Sequence, residues 1–359
     1  MFKRSVKIVV DLGAITENYS LAKIHSNNQN VFAVVKADAY GHGAVAVAKA
    51  LHNADGFAVV SLGEAKELRV ASVSQPILVL QGPANEAELD EFLKLRLWPV
   101  IHSKHQLEWF NRNSSTKQLQ PWLKVDSGMG RLGFNLDDAE QLLRNNELNW
   151  FGALTHFASA DEPTSDTTTM QIQAFRSLVE NHDLQLSMAN SAGVLAWPAA
   201  KADWSRPGIM LYGSNPVNYA TQKITEQHSV ELQAAMRVTA PIMSIKHYQK
   251  GATIGYAETY SCPEAMPVAY AAIGYGDGLP RVLDRSATVW INGASCSIVG
   301  RVSMDSVAID IRGAEKTQVG DEVVLWGTEH PVERMAAAAN TIAYELFTSI
   351  RGDRQYVQS

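Results

Sequence analysis

The feature that most restricts the fold of this chain is a regular alternation of short apolar runs and helical stretches between residues 31 and 213. The apolar runs are VFAVVK (31–36), FAVVS (57–61), ILVLQ (77–81), WPVIH (98–102), PWLKVD (121–126), FGALTH (151–156), LSMAN (186–190) and PGIMLYG (207–213). Segments with helical apolar spacing, such as AVAVAKALHNA and TMQIQAFRSLVEN, lie between them. Strands that alternate with helices form parallel sheets. Eight such strands predict an α/β fold with an N-terminal (β/α)₈ TIM barrel; an open doubly wound sheet, the alternative, usually has fewer strands.

The sequence pattern changes near residue 230. Beyond it, segments such as MRVTAPIMSIKHY and ATVWINGASCSIVGRVSMDSVAIDI indicate strands joined by short turns, and helical spacing returns only in VERMAAAANTIAYELFTSI. We therefore expect a barrel domain over residues 1–230 and a second, mainly β domain over residues 231–359. A length of 359 residues also suits two domains better than one core. The segment KIVVDLGAITENYSLAKI then supplies a leading strand and helix outside the barrel.

The composition excludes several classes of function. A net charge of −6 and 46% apolar residues indicate a globular protein without a basic surface for nucleic acid. The first apolar run, IVV, ends at Asp11, and no segment approaches the roughly 20 apolar residues of a membrane helix, so we expect no targeting peptide and no membrane contact. Cys262 and Cys296 lie far apart in the sequence, so we expect neither a disulfide framework nor a metal site, and a reducing cytoplasm as the location.

Polar residues end most of the predicted barrel strands. They are Lys36, Ser61, Gln81, His102, Asp126, His156 and Asn190, and Ser205-Arg206 precede the eighth predicted strand. Catalytic groups of this fold collect at the carboxyl ends of the strands, where the loops share one opening. A lysine that is partly desolvated there is a better nucleophile and base, so Lys36 suits Schiff-base chemistry. The alternative is a lysine that extends to solvent at the barrel opening.

Two later segments predict a phosphate site. ANSAGVLAW (189–197) places Ser191 and small residues at the start of a helix, and SRPGIML supplies the backbone N–H groups of Gly208 and Ile209. Phosphates in this fold commonly bind after the seventh and eighth strands, at exposed backbone amides. Two ordinary tight turns are the alternative. A lysine and a phosphate site at one barrel opening would suit pyridoxal phosphate.

The segment GMGRLG (128–133) matches the dinucleotide motif GxGxxG and directly follows a predicted strand. In a dinucleotide fold the helix begins inside the motif and the next strand ends in an acidic residue. Here the helical pattern begins near Asp137 and the next strand ends in His156. We therefore expect the glycines to bend a loop that directs Arg131 into the barrel opening, where it can bind a carboxylate.

These residues together resemble the alanine racemase family of bacteria. VVKADAYGHG, KVDSGMGRLG, THFA, ANSAG, RPGIMLYG, GYGDG and GRVSMD occur in the family's order, and the resemblance covers nearly the whole chain. It implies a pyridoxal-phosphate-dependent isomerase that interconverts L- and D-alanine. An amino acid decarboxylase of the same fold and a non-catalytic cofactor-binding barrel are the alternatives. A biosynthetic role, with D-alanine as a peptidoglycan precursor, and a catabolic role both remain open.

The resemblance also implies roles for individual residues. Lys36 binds pyridoxal phosphate covalently, and the rest of the cofactor site comprises Tyr40, Asn190, Ser191, Gly208, Ile209 and, at the pyridine nitrogen, Arg206. The substrate carboxylate contacts Arg131 and the backbone N–H of Met304. Lys124 matches a position that is carbamylated in some members.

Inversion of a carbon centre is simplest with two bases on opposite faces, and the resemblance implies Lys36 and Tyr256. Tyrosine titrates near 10, so it needs cationic neighbours, which a hydrogen-bonded chain through His156 and Arg206 would supply. In the family this tyrosine comes from the other subunit, which implies a homodimer, and Tyr275 lines the substrate entrance. The C-terminal segment FTSIRGDRQYVQS departs from the family pattern, because it lacks the phosphate-contacting tyrosine near the last helix. Tyr356 is a candidate replacement.

Overall fold

A computed structural model of the chain describes residues 6–145, 148–217 and 230–359. These residues form two compact units: one comprises the described residues up to Ala14 together with Gln233–Ser359, and the other is Ile15–Leu232. Strand β1 (Lys7–Asp11) belongs to the first of these units because it pairs with two strands of the C-terminal part of the chain. The boundary predicted from the sequence, at residue 230, directly follows segment 218–229, which the structure does not describe. With that boundary, β1 belongs to the barrel domain instead.

The unit Ile15–Leu232 contains a closed barrel of eight strands, each paired in parallel with the next. The strands are β2 (Asn30–Val34), β3 (Gly56–Val59), β4 (Ile77–Val79), β5 (Trp98–Ile101), β6 (Trp122–Lys124), β7 (Gly152–Leu154), β8 (Gln185–Ser187) and β9 (Trp204–Ser205). The predicted barrel is confirmed, and seven of the eight predicted segments contain or overlap a strand.

The eighth predicted strand was wrong. Within residues 207–213, Ile209–Tyr212 form a short 3-10 helix, and the eighth strand is the two-residue β9 immediately before Arg206. The reason is that Pro207 has no N–H to donate to a strand partner, whereas Trp204 and Ser205 pair with β2. Arg206 therefore follows the carboxyl end of a barrel strand, like the other polar residues of the predicted site.

One helix precedes the first barrel strand, and the others connect the barrel strands. They are α1 (Leu12–His25), α2 (Lys36–Tyr40), α3 (Ala44–Ala50), α4 (Leu62–Val70), α5 (Leu89–Lys94), α6 (Lys104–Arg112), α7 (Leu136–Asn145), α8 (Asp166–Val179) and α9 (Ser191–Ala196). Element α2 is a single turn with left-handed backbone angles, described below. No helix among the described residues is both long and apolar enough to cross a membrane.

Aromatic side chains fill the barrel interior near the amino ends of the strands. Phe32 stacks on Trp204 with ring centroids 4.0 Å apart and meets Trp122 edge-on at 5.9 Å. Gly152 provides the space for this packing, because a Cβ there would lie 2.8 Å from the Trp122 ring. The large rings occupy this end of the barrel, so the polar side chains of the interior lie at the opposite, carboxyl end.

The other unit is mainly β, as predicted. The strands beyond the barrel are β10 (Met236–Tyr248), β11 (Thr253–Ile254), β12 (Tyr260–Ser261), β13 (Met266–Ala271), β14 (Thr288–Ile291), β15 (Ala294–Val299), β16 (Val307–Asp310), β17 (Glu322–Trp326) and β18 (Asp353–Val357). The unit's eight-stranded sheet has the order β13-β16-β15-β14-β17-β10-β1-β18, and β13 also pairs with β10. Strands β11 and β12 form a separate hairpin, and helices α10 (Val332–Ala338) and α11 (Ala343–Ser349) lie between β17 and β18 in the chain. Cys262 and Cys296 are buried and free.

Candidate active site

Strand register brings several of the predicted site residues onto the inner face of the barrel. Lys124 pairs with Leu154, Leu154 pairs with Ser187, and Ser187 pairs with Trp204, whose ring is part of the interior packing. Side chains alternate between the two faces of a strand. Paired residues of these strands therefore face the barrel interior together, and so do the residues two positions further on at the carboxyl ends. Segments that are distant in the sequence meet at this end of the barrel for that reason.

Lys36 lies two residues beyond the end of β2, at the start of a left-handed turn. Ala37, Asp38, Ala39 and Tyr40 all have φ between 51° and 53°. This conformation costs each residue with a side chain roughly 1–2 kcal/mol, so contacts elsewhere must stabilise the turn. Lys36 is half-buried. Burial lowers the pKa of its amine, the guanidinium groups of Arg131 and Arg206 lower it further, and Glu64 raises it.

The predicted phosphate-binding residues come together beside this turn. Ser191 Oγ accepts the N–H groups of Gly208 at 2.9 Å and of Met210 at 3.3 Å. A Cβ on Gly208 would collide with the hydroxyl of Tyr40, so only glycine leaves room between them. Asn190 Oδ1 accepts the N–H of Gly193 at 2.9 Å, which caps α9 and places Ser191 at its first position.

Ile209 begins the 3-10 helix directly after Gly208. Its predicted role in binding phosphate stays a prediction. The cluster thus combines a hydroxyl, backbone amides and a helix start, which are the groups that bind phosphate.

Arg206 is a buried cation with neutral partners. Its Nη1 donates to Ser187 Oγ at 2.5 Å, and its Nη2 donates to the carbonyl oxygens of Thr155 at 2.5 Å and Met188 at 3.4 Å. Burial lowers the pKa of Arg206 to about 10. The sequence reasoning missed Ser187 and Thr155, because each lies before the polar residue that was taken to end its strand.

His156 and Lys124 lie in a strongly cationic environment. Burial lowers the pKa of His156 to about 3, and the charges of Arg206, Lys124, Arg131 and Lys36 contribute in the same direction. Burial likewise lowers the pKa of Lys124 to about 8, with further lowering by Arg206, Arg131 and Lys36 and a smaller opposite effect of Asp126. His156 is therefore neutral at pH 7, and a fraction of Lys124 is present as the free amine.

The GMGRLG loop is organised around the carboxylate of Asp126. Its Oδ1 accepts the N–H groups of Gly128 at 3.0 Å, Met129 at 2.8 Å and Gly130 at 3.0 Å. Partial burial opposes ionisation of Asp126, but these backbone donors lower its pKa overall. The loop carries Arg131 as an exposed side chain, and α7 begins only at Leu136, as predicted, after the motif has ended.

Three predicted site residues, Tyr256, Tyr275 and Met304, belong to the mainly β unit and are exposed, by 65%, 38% and 51% of their surface. Tyr256 lies in the turn between β11 and β12. Backbone hydrogen bonds from Tyr275 N–H to Ser303 O at 3.0 Å and from Gly276 N–H to Met304 O at 2.9 Å join the other two loops. The predicted chain from Tyr256 through His156 to Arg206 stays a prediction.

Tyr356, the candidate for the missing phosphate tyrosine, lies in β18, where it pairs with Val10 of β1. Its side chain is 43% exposed. That Tyr356 takes the place of the missing phosphate-contacting tyrosine stays a prediction.

Comparison with protein families decides the wider relationship. The model described as the N-terminal domain of alanine racemase matches residues 10–216, and the model of the C-terminal domain matches residues 235–357. The chain belongs to the alanine racemase family. The resemblance inferred from the motifs is thereby confirmed, and the family is one of racemases, which are isomerases.

Individual alanine racemases align with almost the full chain. The alanine racemase of Coxiella burnetii strain CbuG_Q212 is 40% identical over 354 residues, 97% of each protein. The crystal structure of the biosynthetic alanine racemase of Pseudomonas aeruginosa has a TM-score of 0.92 and 39% identity and covers 99% of both chains. The alanine racemase of Bartonella henselae, solved with covalently bound pyridoxal phosphate, has a TM-score of 0.89 and 30% identity, covering 98% of this chain and 99% of that one.

Proposed function

We propose that this chain interconverts L- and D-alanine with pyridoxal phosphate bound at the carboxyl end of the barrel. The observation that carries the proposal is the half-buried amine of Lys36 beside a cluster of phosphate-binding groups in one closed barrel. Membership of the alanine racemase family and the cofactor in the Bartonella henselae relative support the same conclusion.

The residues present fit this cofactor. Ser191 places a hydroxyl against the backbone N–H of Gly208, next to Ile209, and the absence of a Cβ at Gly208 leaves room for the Tyr40 hydroxyl beside them. Lys36 supplies an amine whose lowered pKa increases its neutral, nucleophilic fraction. When bound, pyridoxal phosphate supplies an aldehyde that reacts with amines and a ring that draws electron density from the substrate α-carbon.

Arg206 selects among the reactions that such a ring permits. Because Ser187 and Thr155 orient its guanidinium through neutral oxygens, the cation keeps its full charge. Arg206 would hold the pyridine nitrogen of the bound cofactor, and a permanent cation there would oppose protonation of that nitrogen and weaken the withdrawal of electrons. Racemisation needs only a short-lived carbanion, whereas transamination needs a stronger electron sink.

Two bases act on opposite faces of the α-carbon in this proposal. Lys36 removes or returns the proton on one face, and Tyr256 acts on the other. Tyr256 is 65% exposed, and Tyr275 and Met304 are exposed with it, so these side chains are available to a second protein surface. We assign that surface to the barrel of a second copy, which makes the active unit a homodimer with Tyr275 at the substrate entrance.

Arg131 and the backbone N–H of Met304 bind the substrate carboxylate in this proposal. Burial and the charge of Arg206 lower the pKa of Lys124 most, and the charge of Arg131 lowers it further. The neutral amine can attack carbon dioxide, lose a proton and form a carbamate. This replaces a cation by an anion that would pair with Arg131 and fix its orientation.

Two measurements on the purified protein loaded with pyridoxal phosphate test the function. We expect each alanine enantiomer to be converted into the other, as measured by chiral chromatography, with smaller rates for other amino acids. Reduction with borohydride followed by peptide mapping is expected to locate the cofactor on Lys36. Carbon dioxide release from lysine or ornithine without racemisation, or a label on another lysine, would contradict the proposal.

A further inference from the structure

Glu64 makes two contacts outside the helix to which it belongs. It lies in the first turn of α4, and its Oε1 accepts the N–H of Ala37 at 2.8 Å while its Oε2 accepts the N–H of Val60 at 2.6 Å. Ala37 directly follows Lys36, and Val60 directly follows β3. One half-buried carboxylate therefore connects the start of the Lys36 turn to the end of the neighbouring barrel strand.

The turn that carries Lys36 needs support from outside. Its four residues Ala37–Tyr40 have left-handed backbone angles although none is glycine. Hydrogen bonds within the segment, such as the one from Gly41 N–H to Ala37 O at 3.0 Å, are part of the turn and do not support it from outside. The Ala37 N–H instead donates to Glu64, 27 residues away in the sequence. A hydrogen bond to an ionised carboxylate is stronger than one between neutral groups, so it can offset an unfavourable backbone conformation.

The sequence around Glu64 has the form of a helix capping box, Ser61-Leu-Gly-Glu64. Ser61 Oγ accepts the Glu64 N–H at 3.4 Å, as a capping serine does. In a standard box the glutamate side chain would return to the N–H of Ser61. Here it accepts the N–H groups of Val60 and Ala37, so the carboxylate serves the Lys36 turn as well as its own helix.

Glu64 also acts on the charge of Lys36. The charged and titratable groups that act on this amine are the cations Arg131, Arg206 and Lys124, the neutral His156 and the carboxylate of Glu64. Glu64 is the acidic member of this set. It raises the pKa of Lys36, while burial and the two arginines lower it.

We propose that Glu64 is a positioning residue for Lys36: it fixes the backbone turn that presents the amine and supplies a negative charge among the surrounding cations. The proposal rests on the assignment of Lys36 as the cofactor lysine. Glu64 acts through the backbone and the field at Lys36, and no contact of its own with substrate is required.

Two variants separate the roles of contact and charge. Glu64→Ala removes both hydrogen bonds and the charge. Glu64→Gln removes the charge but keeps one carbonyl oxygen that accepts one of the two N–H groups. Glu88→Gln is a matched control, because Glu88 Oε2 accepts the N–H of Ala84 at 2.9 Å on another loop of the barrel. Glu67→Gln, an exposed position on the same helix, controls for the loss of charge alone.

Two readouts are measured on the full-length chain. The first is the dissociation constant of pyridoxal phosphate, from absorbance titration of the apoprotein. The second is the pH midpoint of reductive methylation of Lys36, measured by mass spectrometry in the absence of cofactor. A role confined to stability would leave the second readout unchanged.

We expect Glu64→Ala to bind pyridoxal phosphate at least about tenfold more weakly, as for the loss of a hydrogen bond to a charged group. Glu64→Gln is expected to move the methylation midpoint to lower pH, because Glu64 raises the pKa of Lys36. The Glu88 and Glu67 controls retain both wild-type values. If Glu64→Ala does not fold, the pH midpoint of Lys36 methylation in Glu64→Gln alone tests the inference.

A Glu64→Gln midpoint equal to that of the wild type would overturn the inference, as would wild-type cofactor affinity in folded Glu64→Ala. Failure of the proposed function would look different: wild-type protein reduced with cofactor would then carry no label on Lys36. The methylation midpoint requires no cofactor, so it tests Glu64 in that case too.

Discussion

The barrel unit and the C-terminal unit present their predicted site residues in opposite environments. In the barrel, Arg206 is buried and His156 is half-buried, and burial lowers the pKa of each. In the C-terminal unit, Tyr256, Tyr275 and Met304 are exposed. The barrel groups thus have environments that their own unit supplies, whereas an exposed side chain acquires its environment from whatever covers it.

This difference indicates where the catalytic properties of each residue originate. The barrel can set the charge states of its groups within one folded chain. A phenol needs cationic neighbours to act as a base near working pH, and in the proposed function a second copy of the chain supplies them to Tyr256. Three measurements examine this contrast.

Mixing two inactive variants tests it most directly. Lys36→Ala removes a barrel group and Tyr256→Phe removes a C-terminal one, and each variant alone is expected to lose at least about a thousandfold in racemase activity. If sites are shared between copies, a hybrid dimer has one intact site, and an equal mixture recovers about a quarter of wild-type activity. The control mixes each variant with itself. If mass spectrometry shows hybrid dimers in the mixture but racemase activity does not recover, Lys36 and Tyr256 of the same chain form each site.

The direction of proton transfer gives the next largest effect. Tyr256→Phe is expected to slow exchange of the α-proton of one alanine enantiomer at least about 100-fold more than that of the other, because each base serves one face. Exchange in deuterium oxide is followed by NMR for each enantiomer separately. Tyr260→Phe, in the same hairpin, is the control. Equal losses for both enantiomers would count against a base on each face.

Acid stability gives the smallest effect and concerns the barrel alone. Burial and neighbouring cations lower the pKa of His156 from 6.5 to about 3. The unfolded chain therefore takes up this proton first as the pH falls. The contribution of the neutral His156 to the free energy of unfolding is fully present above the unfolded pKa of 6.5. It is lost as the pH falls toward about 3. The loss is at most about 1.4 kcal/mol per pH unit.

His156→Gln, which cannot titrate, is expected to make urea unfolding less dependent on pH within that window. His52→Gln, at an exposed position, is the control. An unchanged slope in the His156 variant would mean that His156 is protonated equally in the folded and unfolded states.

Much of the barrel site was predictable because local pattern and function coincide there. Lys36, Arg131 and Ser191 are polar residues at the ends of apolar runs or in glycine-containing loops, and a parallel barrel brings such positions together. The eighth strand was not predictable in this way. Its two residues are too short to show a period, while the apolar run after Pro207 imitates a strand.

Contacts between distant segments account for the other omissions. Within Ala37–Tyr40 only Asp38 is of a type enriched at positive φ, and none is glycine, so a turn of four left-handed residues was not visible in the sequence. Glu64 lies in a local capping pattern, Ser61-Leu-Gly-Glu64, which gives no sign of its contact with the N–H of Ala37. The parallel pairing of β1 with β18 joins the two ends of the chain, and nothing local to either strand specifies it.

The oxygens around Arg206 carry no formal charge, which has a consequence for association kinetics. An ion pair would cancel the guanidinium field within a few ångströms, but dipoles alone leave a net monopole inside the barrel. If the chain has the proposed function, its anionic ligands, phosphate esters and amino acid carboxylates, are attracted before any contact forms. Their capture then begins at long range, and dissolved salt weakens it.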